Sequence, residues 1–286
     1  MNYSHLRAFH AVATQGSFTR AATALHVTQP TISDQVKALE QRYDVVLFER
    51  HGRNIELTPI GHTLLEITQR QFSLESEAEQ LLSTAKGLAQ GLLRISADAP
   101  YHVVPLLGLF NRLHPGIRLT LDFGNSERVL TALFERRTDI AVLPNIGHDH
   151  RLFSTLVRRD KLVAFVPRDH EWVGKRKLPL DALTEQRLVL REHGSTTRAV
   201  FEHALQNAGI ATGAVMEIGS REGVREAVAA GFGIGIVGAT EFGHDRRLRA
   251  INLQGDGLEI TEYAACLEER RMIRTIDAFF ELFSEN

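Results

Sequence analysis

The stretch "AKGLAQG", which ends at Gly91, divides the chain into two parts whose apolar residues repeat with different periods. Before it, apolar residues recur every three or four positions, as on helix faces. After it, short apolar runs alternate with helical stretches, as in an α/β fold. One packed layer cannot satisfy both periods, so a helical N-terminal part and an α/β C-terminal part are expected. At 286 residues the chain is long enough for two or three folded units, each with its own core.

The helical part opens with a short amphipathic helix through Leu6, Phe9 and Val12, ended near Gly16. Ser17 caps a second helix whose Ala21, Ala22 and Ala24 permit close approach of another element. That helix gives out at His26 and Val27. Thr28 then caps a third helix, with Pro30 tolerated in its first turn. In "TQPTISDQVKALE", Ile32, Val36 and Leu39 share one stripe, and Gln29, Ser33 and Lys37 share the other. Two short helices, a tight turn and a third helix with a polar stripe describe a helix-turn-helix, whose last element enters the major groove of DNA. A three-helix core with a merely solvated face has the same spacing.

The next segment favours the first reading. In "VVLFERHGRNIEL", Leu47 and Phe48 form an anchor, and Gly52 marks the tip of a basic two-stranded turn, a wing suited to phosphate or a minor groove. Met1 to Leu57 carries six Lys or Arg against five Asp or Glu, so one copy should bind DNA weakly and two should act together. Pairing is supplied by "TPIGHTLLEITQRQFSLESEAEQLLSTAKG". There Ile60, Leu64, Ile67, Gln71, Leu74, Ala78 and Leu81 step by four and three, a coiled-coil seam, with Thr58 as cap and Pro59 at the first helical position.

Beyond Gly91 two α/β units follow one another, and the end of the chain returns to the first. The boundaries expected are a winged helix-turn-helix at 1–57, a linker helix at 58–90 and an effector domain at 91–286. Within the last, lobe I takes about 91–161 and 267–286, and lobe II about 162–266. Two lobes joined by two crossings make a clamshell, with ligands held beyond the carboxyl ends of the strands. The strand-to-helix turns there supply Asp98, Ala99 and Tyr101, Asn125 and Ser126, then Gly194, Ser195, Thr196 and Thr197, and Ser220. Hydroxyls and amides at exposed helix N-termini make an anion cradle, unless they only cap their helices.

"SFTRAATALHVTQPTISDQVKALEQRYDVVLFERHGRNIELTPIG" resembles the DNA-binding region of LysR-type transcriptional regulators, and the resemblance continues to the end of the chain. It implies a winged helix-turn-helix, a dimerising linker helix and a periplasmic-binding-protein-like effector domain, commonly in a tetramer. By the same resemblance Gln29, Pro30 and Ser33 match base-reading positions, Thr31 a backbone contact, and Arg50 and Arg53 the wing. Two residues depart from the family pattern: Asp34 puts a negative charge where a neutral or basic residue is frequent, and Ile60 replaces a small residue. The runs "FGNSERVLTALFERRTDIAV", "LREHGSTTRAVFE" and "IGSREGVREAVAAGFGIGIV" are similar to LysR-type regulators associated with 2-aminoethylphosphonate catabolism, which implies a phosphonate or another small anion as effector. A phosphonate would suit hydroxyl-rich helix starts, and Asp98 could meet its ammonium.

The expected partners are therefore double-stranded DNA, a small anionic effector and further copies of the chain. No cofactor is expected, because "GFGIGIVG" follows a helix and precedes a strand, the reverse of a dinucleotide fingerprint. An enzyme on the α/β lobes is the first rival. His102, His148, His150, His170, His193 and His203 show no metal-ligand spacing and no cysteine partner, so neither catalysis nor a metal is expected. A solute-binding protein is the second, but it would carry a secretory signal, and "MNYSHLRAFH" lacks that layout. No run of apolar residues is long enough to span a membrane. The lone Cys266 reads as a small buried hydrophobe and, with the missing signal, points to a reducing cytoplasm.

Overall fold

The computed structural model describes residues 2–51, 54–83 and 91–283. They form two compact units, one made of residues up to Leu82 with Glu135–Arg137, the other of the remainder. Gly87, in the stretch that divides the two parts of the chain, lies outside the described residues.

In the first unit, α1 (Tyr3–Gln15) ends at Gly16, which takes a left-handed conformation with φ 60°. Ser17 accepts a hydrogen bond from Arg20 N at the start of α2 (Phe18–Ala24), and Thr28 caps α3 (Gln29–Tyr43). The three helices close on Ala8, Val12, Phe18, Ala21, Ile32 and Val36, all buried. Strands β1 (Phe48–His51) and β2 (Asn54–Leu57) pair antiparallel. Leu47 is buried in the anchor position, and Phe48 sets its ring against Phe9 and Phe18. Thr58 then caps α4 (Pro59–Ser83) by accepting from Gly61 N at 3.1 Å. A Cβ at Gly61 would stand 2.3 Å from the Leu47 carbonyl oxygen, so only glycine lets this helix start so close to the wing.

The linker helix has two faces. Leu64 and Leu65 join the cluster of Leu6, Phe9, Leu39 and Leu47, Thr68 meets His10 at 3.0 Å, and Phe72 stands edge-on to Tyr3. Ile60, Ile67 and Leu74, one heptad apart, are about half exposed. The stripe read as one seam is thus divided. Leu64 belongs to the chain's own core because the ring of helices needs a lid, whereas Ile60, Ile67 and Leu74 stay open on the other side.

The second unit starts with β3 (Gly91–Ala97), α5 (Pro100–Leu113), β4 (Ile117–Phe123), α6 (Ser126–Phe134) and β5 (Ile140–Pro144). The long strand β6 (Leu152–Pro167) follows, then β7 (Lys177–Pro179), β8 (Leu188–Arg191), α7 (Thr196–Asn207), β9 (Val215–Ile218), α8 (Arg221–Ala229) and β10 (Ile234–Gly238). It finishes with β11 (Leu248–Gln254), β12 (Glu259–Leu267) and α9 (Arg274–Glu281). Lobe I is the sheet β4-β3-β5-β12-β6, and lobe II is β6-β10-β8-β9 with β11 beside β6 and β7 beside β11. Pairing is mixed. The strands fed by helix crossovers run parallel, whereas β12 runs antiparallel to β5, and β6 antiparallel to β12, β10 and β11.

Strand β6 begins at Leu152, well before its apolar run from Leu162 to Val166. Its second half, Leu162–Val166, is buried on both faces, while its first half alternates with exposed Ser154, Leu156 and Arg158 because only one face is covered there. The return to lobe I also comes earlier than 267: from Glu259 onward β12 is paired along β6, and from Glu262 along β5 as well. Its register against β6 shifts between Glu262 and Tyr263, a local irregularity in the ladder.

Candidate functional site

The first site is the open face of α3. Ile32, Val36 and Leu39 are turned into the core, while Gln29, Pro30, Thr31, Asp34 and Lys37 are exposed and Ser33 is half-buried. The Thr31 hydroxyl pairs with that of Thr28 at 2.8 Å, which fixes the first turn. The helix start carries no acidic residue in that turn, so its free N–H groups can face a phosphate. Arg50 is placed in β1 by its backbone, and Arg53 lies outside the described residues.

The second site is the cleft of about 480 Å³ between the lobes, beyond the carboxyl ends of β3, β4, β8 and β9. Among the residues expected there, Asp98, Asn125 and Ser220 line it. Tyr101 faces an adjoining cavity of about 140 Å³. Ala99 is fully buried behind the lining, and Ser126, Ser195 and Thr197 are buried at the first turns of α6 and α7, with Thr196 half-buried beside them. None of these five lines the cleft. Gly194, with φ 88°, is pressed against α6: a Cβ there would stand 2.7 Å from Glu127 Oε2 and 2.9 Å from Asn125 Nδ2. Asn125 Nδ2 donates to His193 O at 3.4 Å, so the two lobes meet at this rim. Asn125 Oδ1 also accepts from Arg128 N at 2.9 Å, and Ser220 Oγ from Gly223 N at 3.0 Å. Both side chains are therefore helix caps as well as lining.

The arginines were not legible as site residues. Arg128, Arg191 and Arg221 all line the cleft. Arg191 ends β8 and is 8% exposed; Glu192 takes its Nε at 2.7 Å and Nη2 at 2.8 Å, and its buried Nη1 has no partner. Arg221, the first residue of α8, reaches across the lobes. It donates to the Asp98 backbone oxygen, to Asp98 Oδ2 at 3.1 Å and to Glu241 Oε2 at 2.8 Å. Burial pushes the Asp98 carboxyl up to about 6 against the pull of Arg221. Asp98 thus already has a cation, and only its unpartnered Oδ1 remains for an ammonium. The position of Arg191 at a strand's carboxyl end was the available signal, since ligands collect there; its unmet donor is a property of the fold.

Cys266 stands in β12, fully buried, and burial pushes its thiol up to about 12. Raised by this much, its thiolate fraction at neutral pH drops about a thousandfold. A thiol-disulfide reagent should leave the native chain unmodified over hours and titrate one thiol in denaturant. Fast modification without denaturant would contradict this packing.

Residues 3–62 match the model described as "Bacterial regulatory helix-turn-helix protein, lysR family", and residues 86–286 match "LysR substrate binding domain". The chain is 33% identical over 231 residues to the HTH-type transcriptional activator CmpR of Synechocystis sp., covering 80% of this chain and 76% of that protein. It superposes on full-length CbnR complexed with its target DNA with a TM-score of 0.76, at 23% identity, covering 100% of this chain and 99% of that one. The regulatory domain of Synechocystis CcmR, solved in complex with 2-PG, matches with a TM-score of 0.62 at 25% identity, covering 68% of this chain and 97% of that one. No described helix is long and apolar enough to cross a membrane.

Proposed function

The chain belongs to the LysR family of DNA-binding transcriptional regulators, which are not enzymes, and on that premise we propose that it responds to a small oxyanion held between its lobes. A phosphonate such as 2-aminoethylphosphonate is the specific candidate. The observation that carries the reading is the buried Arg191 Nη1, a cationic donor without a partner at the cleft. A buried donor left unmet is costly, and an oxyanion would satisfy it with a charge-assisted bond. The start of α8 and Arg128 add positive potential from the two lobes. Support for the phosphonate itself is the sequence resemblance of the effector region, while CcmR, solved with 2-PG, extends the choice to other small ligands.

Thermal melting of the purified chain against phosphonates, phosphates, sulfonates and amino acids tests this. A ligand at a hundred times its Kd should stabilise by about 2.7 kcal/mol, several degrees in Tm. A panel in which only uncharged or cationic compounds raise the Tm would overturn the reading.

On DNA, Gln29 and Ser33 are proposed to read base edges, with Pro30 packed beside them, Thr31 and Lys37 on the backbone, and Arg50 and Arg53 in the wing. Gln29→Ala should lose about 1–3 kcal/mol of discrimination at one base pair while leaving random-sequence binding nearly intact. Lys37→Ala should weaken all sequences alike and reduce the salt slope by about one. Equal losses on operator and random DNA for Gln29→Ala would remove it from the base-reading set. Pairing is proposed along Ile60, Ile67 and Leu74, with further association of dimers into a tetramer.

A further inference from the structure

Behind the effector cleft, where β12 enters lobe I, His102 from α5, Glu241 from the turn after β10 and Glu262 from β12 converge. Their exposures are 4%, 4% and 2%. His102 Nε2 stands 3.2 Å from Glu241 Oε1 and 3.7 Å from Glu262 Oε1, and one ligand atom from each of the three lies within 4.8 Å of the others. Donors on a tetrahedron with bonds of about 2.1 Å are spaced about 3.4 Å apart, so the cluster needs little adjustment to enclose a small ion.

Charge and hydrogen bonding both leave room for a cation. Asp98, Glu241 and Glu262 are three buried carboxylates, and Arg221 is the guanidinium bonded to the first two. With all three ionised and His102 neutral, two negative charges stay uncompensated within the cluster. Glu262 Oε2 is buried with no hydrogen-bond partner, and its carboxylate sits at the register shift of β12. Two carboxylates buried around one imidazole favour any positive species beside that oxygen. A proton is the simplest such species; a divalent ion would compensate both charges at once and use the His102 lone pair as well.

We propose that His102, Glu241 and Glu262 form a divalent transition-metal site, of the zinc class, that joins the two lobes at their hinge. One imidazole nitrogen and two carboxylate oxygens are three protein ligands, which leaves a fourth position for water. Glu241 also lines the 140 Å³ cavity with Tyr101 and Arg221, which gives that water a place. The metal would hold Glu241, on lobe II, to His102 and Glu262, on lobe I. The site was invisible in the sequence because Glu241 lies 139 residues from His102. This inference is independent of the effector's identity.

The test uses the full-length, tag-free chain, stripped with chelator and titrated with zinc against a chromophoric chelator. One equivalent should bind, and Glu262→Gln and His102→Gln should each weaken it at least about a hundredfold while preserving the circular dichroism of the parent. Zinc should raise the Tm of the parent and not of the variants. Because the chain has 13 histidines, a variant lacking the exposed pair His148 and His150 is the control, and it should bind as the parent does. Should either variant fail to fold, cobalt substitution of the parent decides: X-ray absorption must show one imidazole among oxygen ligands. The proposal is overturned if the parent takes up no zinc, if zinc binding survives in the folded variants or disappears in the control, or if the cobalt spectrum shows several imidazoles. A Tm gain in Glu262→Gln without zinc uptake by the parent would identify the cluster as a buried neutral acid instead.

Discussion

Aspartate at both Ile67 and Leu74 should convert the full chain to monomers in sedimentation and lower operator affinity by about 10²- to 10⁴-fold. The two side chains are 47% and 54% exposed on a helix whose opposite face, through Leu64 and Leu65, is the one packed on the core, so charging them leaves that packing in place. In a paired seam the same charges would be desolvated against apolar neighbours. The loss on DNA follows from the winged unit's small charge excess, six basic against five acidic residues to Leu57, which gives one copy little hold on phosphate. Leu64→Asp should behave differently, lowering thermal stability before it changes assembly, because Leu64 joins the core of Leu6, Phe9 and Leu39. A double variant that stays oligomeric and binds normally would place the pairing surface elsewhere.

Arg191→Met should shift the effector response to about ten- to a hundredfold higher concentration, the loss of a hydrogen bond to a charged oxygen being about 1.5–3 kcal/mol. DNA affinity without effector should stay within a factor of about two, since the ligand-free bonds of the Arg191 guanidinium go to its neighbour Glu192 within the same lobe and do not favour one arrangement of the lobes over another. Thr196→Ala and Ser126→Ala are the informative comparisons. Neither side chain lines the cleft, so each should cost less than Arg191→Met if the hydroxyls chiefly serve the starts of α7 and α6. Calorimetric titration of all three with the same anion ranks them. An unchanged affinity in Arg191→Met, with loss in the hydroxyl variants, would move the anion from the strand end to the helix starts.

Much of the architecture was legible because its signals are local. The caps Ser17, Thr28 and Thr58, the helix end at Gly16 and the buried stripe Ile32, Val36 and Leu39 each depend on residues within one or two turns of each other. The same locality exposed Gln29 and Lys37 as outward residues. The strand-to-helix turns were also legible, and with them Asp98, Asn125 and Ser220 as lining.

Where the signal depended on a partner far along the chain, sequence fell short. The division of the linker helix between Leu64 and the ridge of Ile67 and Leu74 follows from which side α1 covers, and periodicity alone treats both sides alike. The first half of β6 was hidden because one covered face leaves Ser154 and Arg158 in solvent, which mimics a loop. The charged centre is the extreme case. Arg221 is joined to Asp98 across 123 residues and His102 to Glu241 across 139. Local spacing determined the helices, caps, turns and order of domains. Only the tertiary fold, by burying charged groups from both lobes together, decided which of them are left with unmet hydrogen-bonding groups.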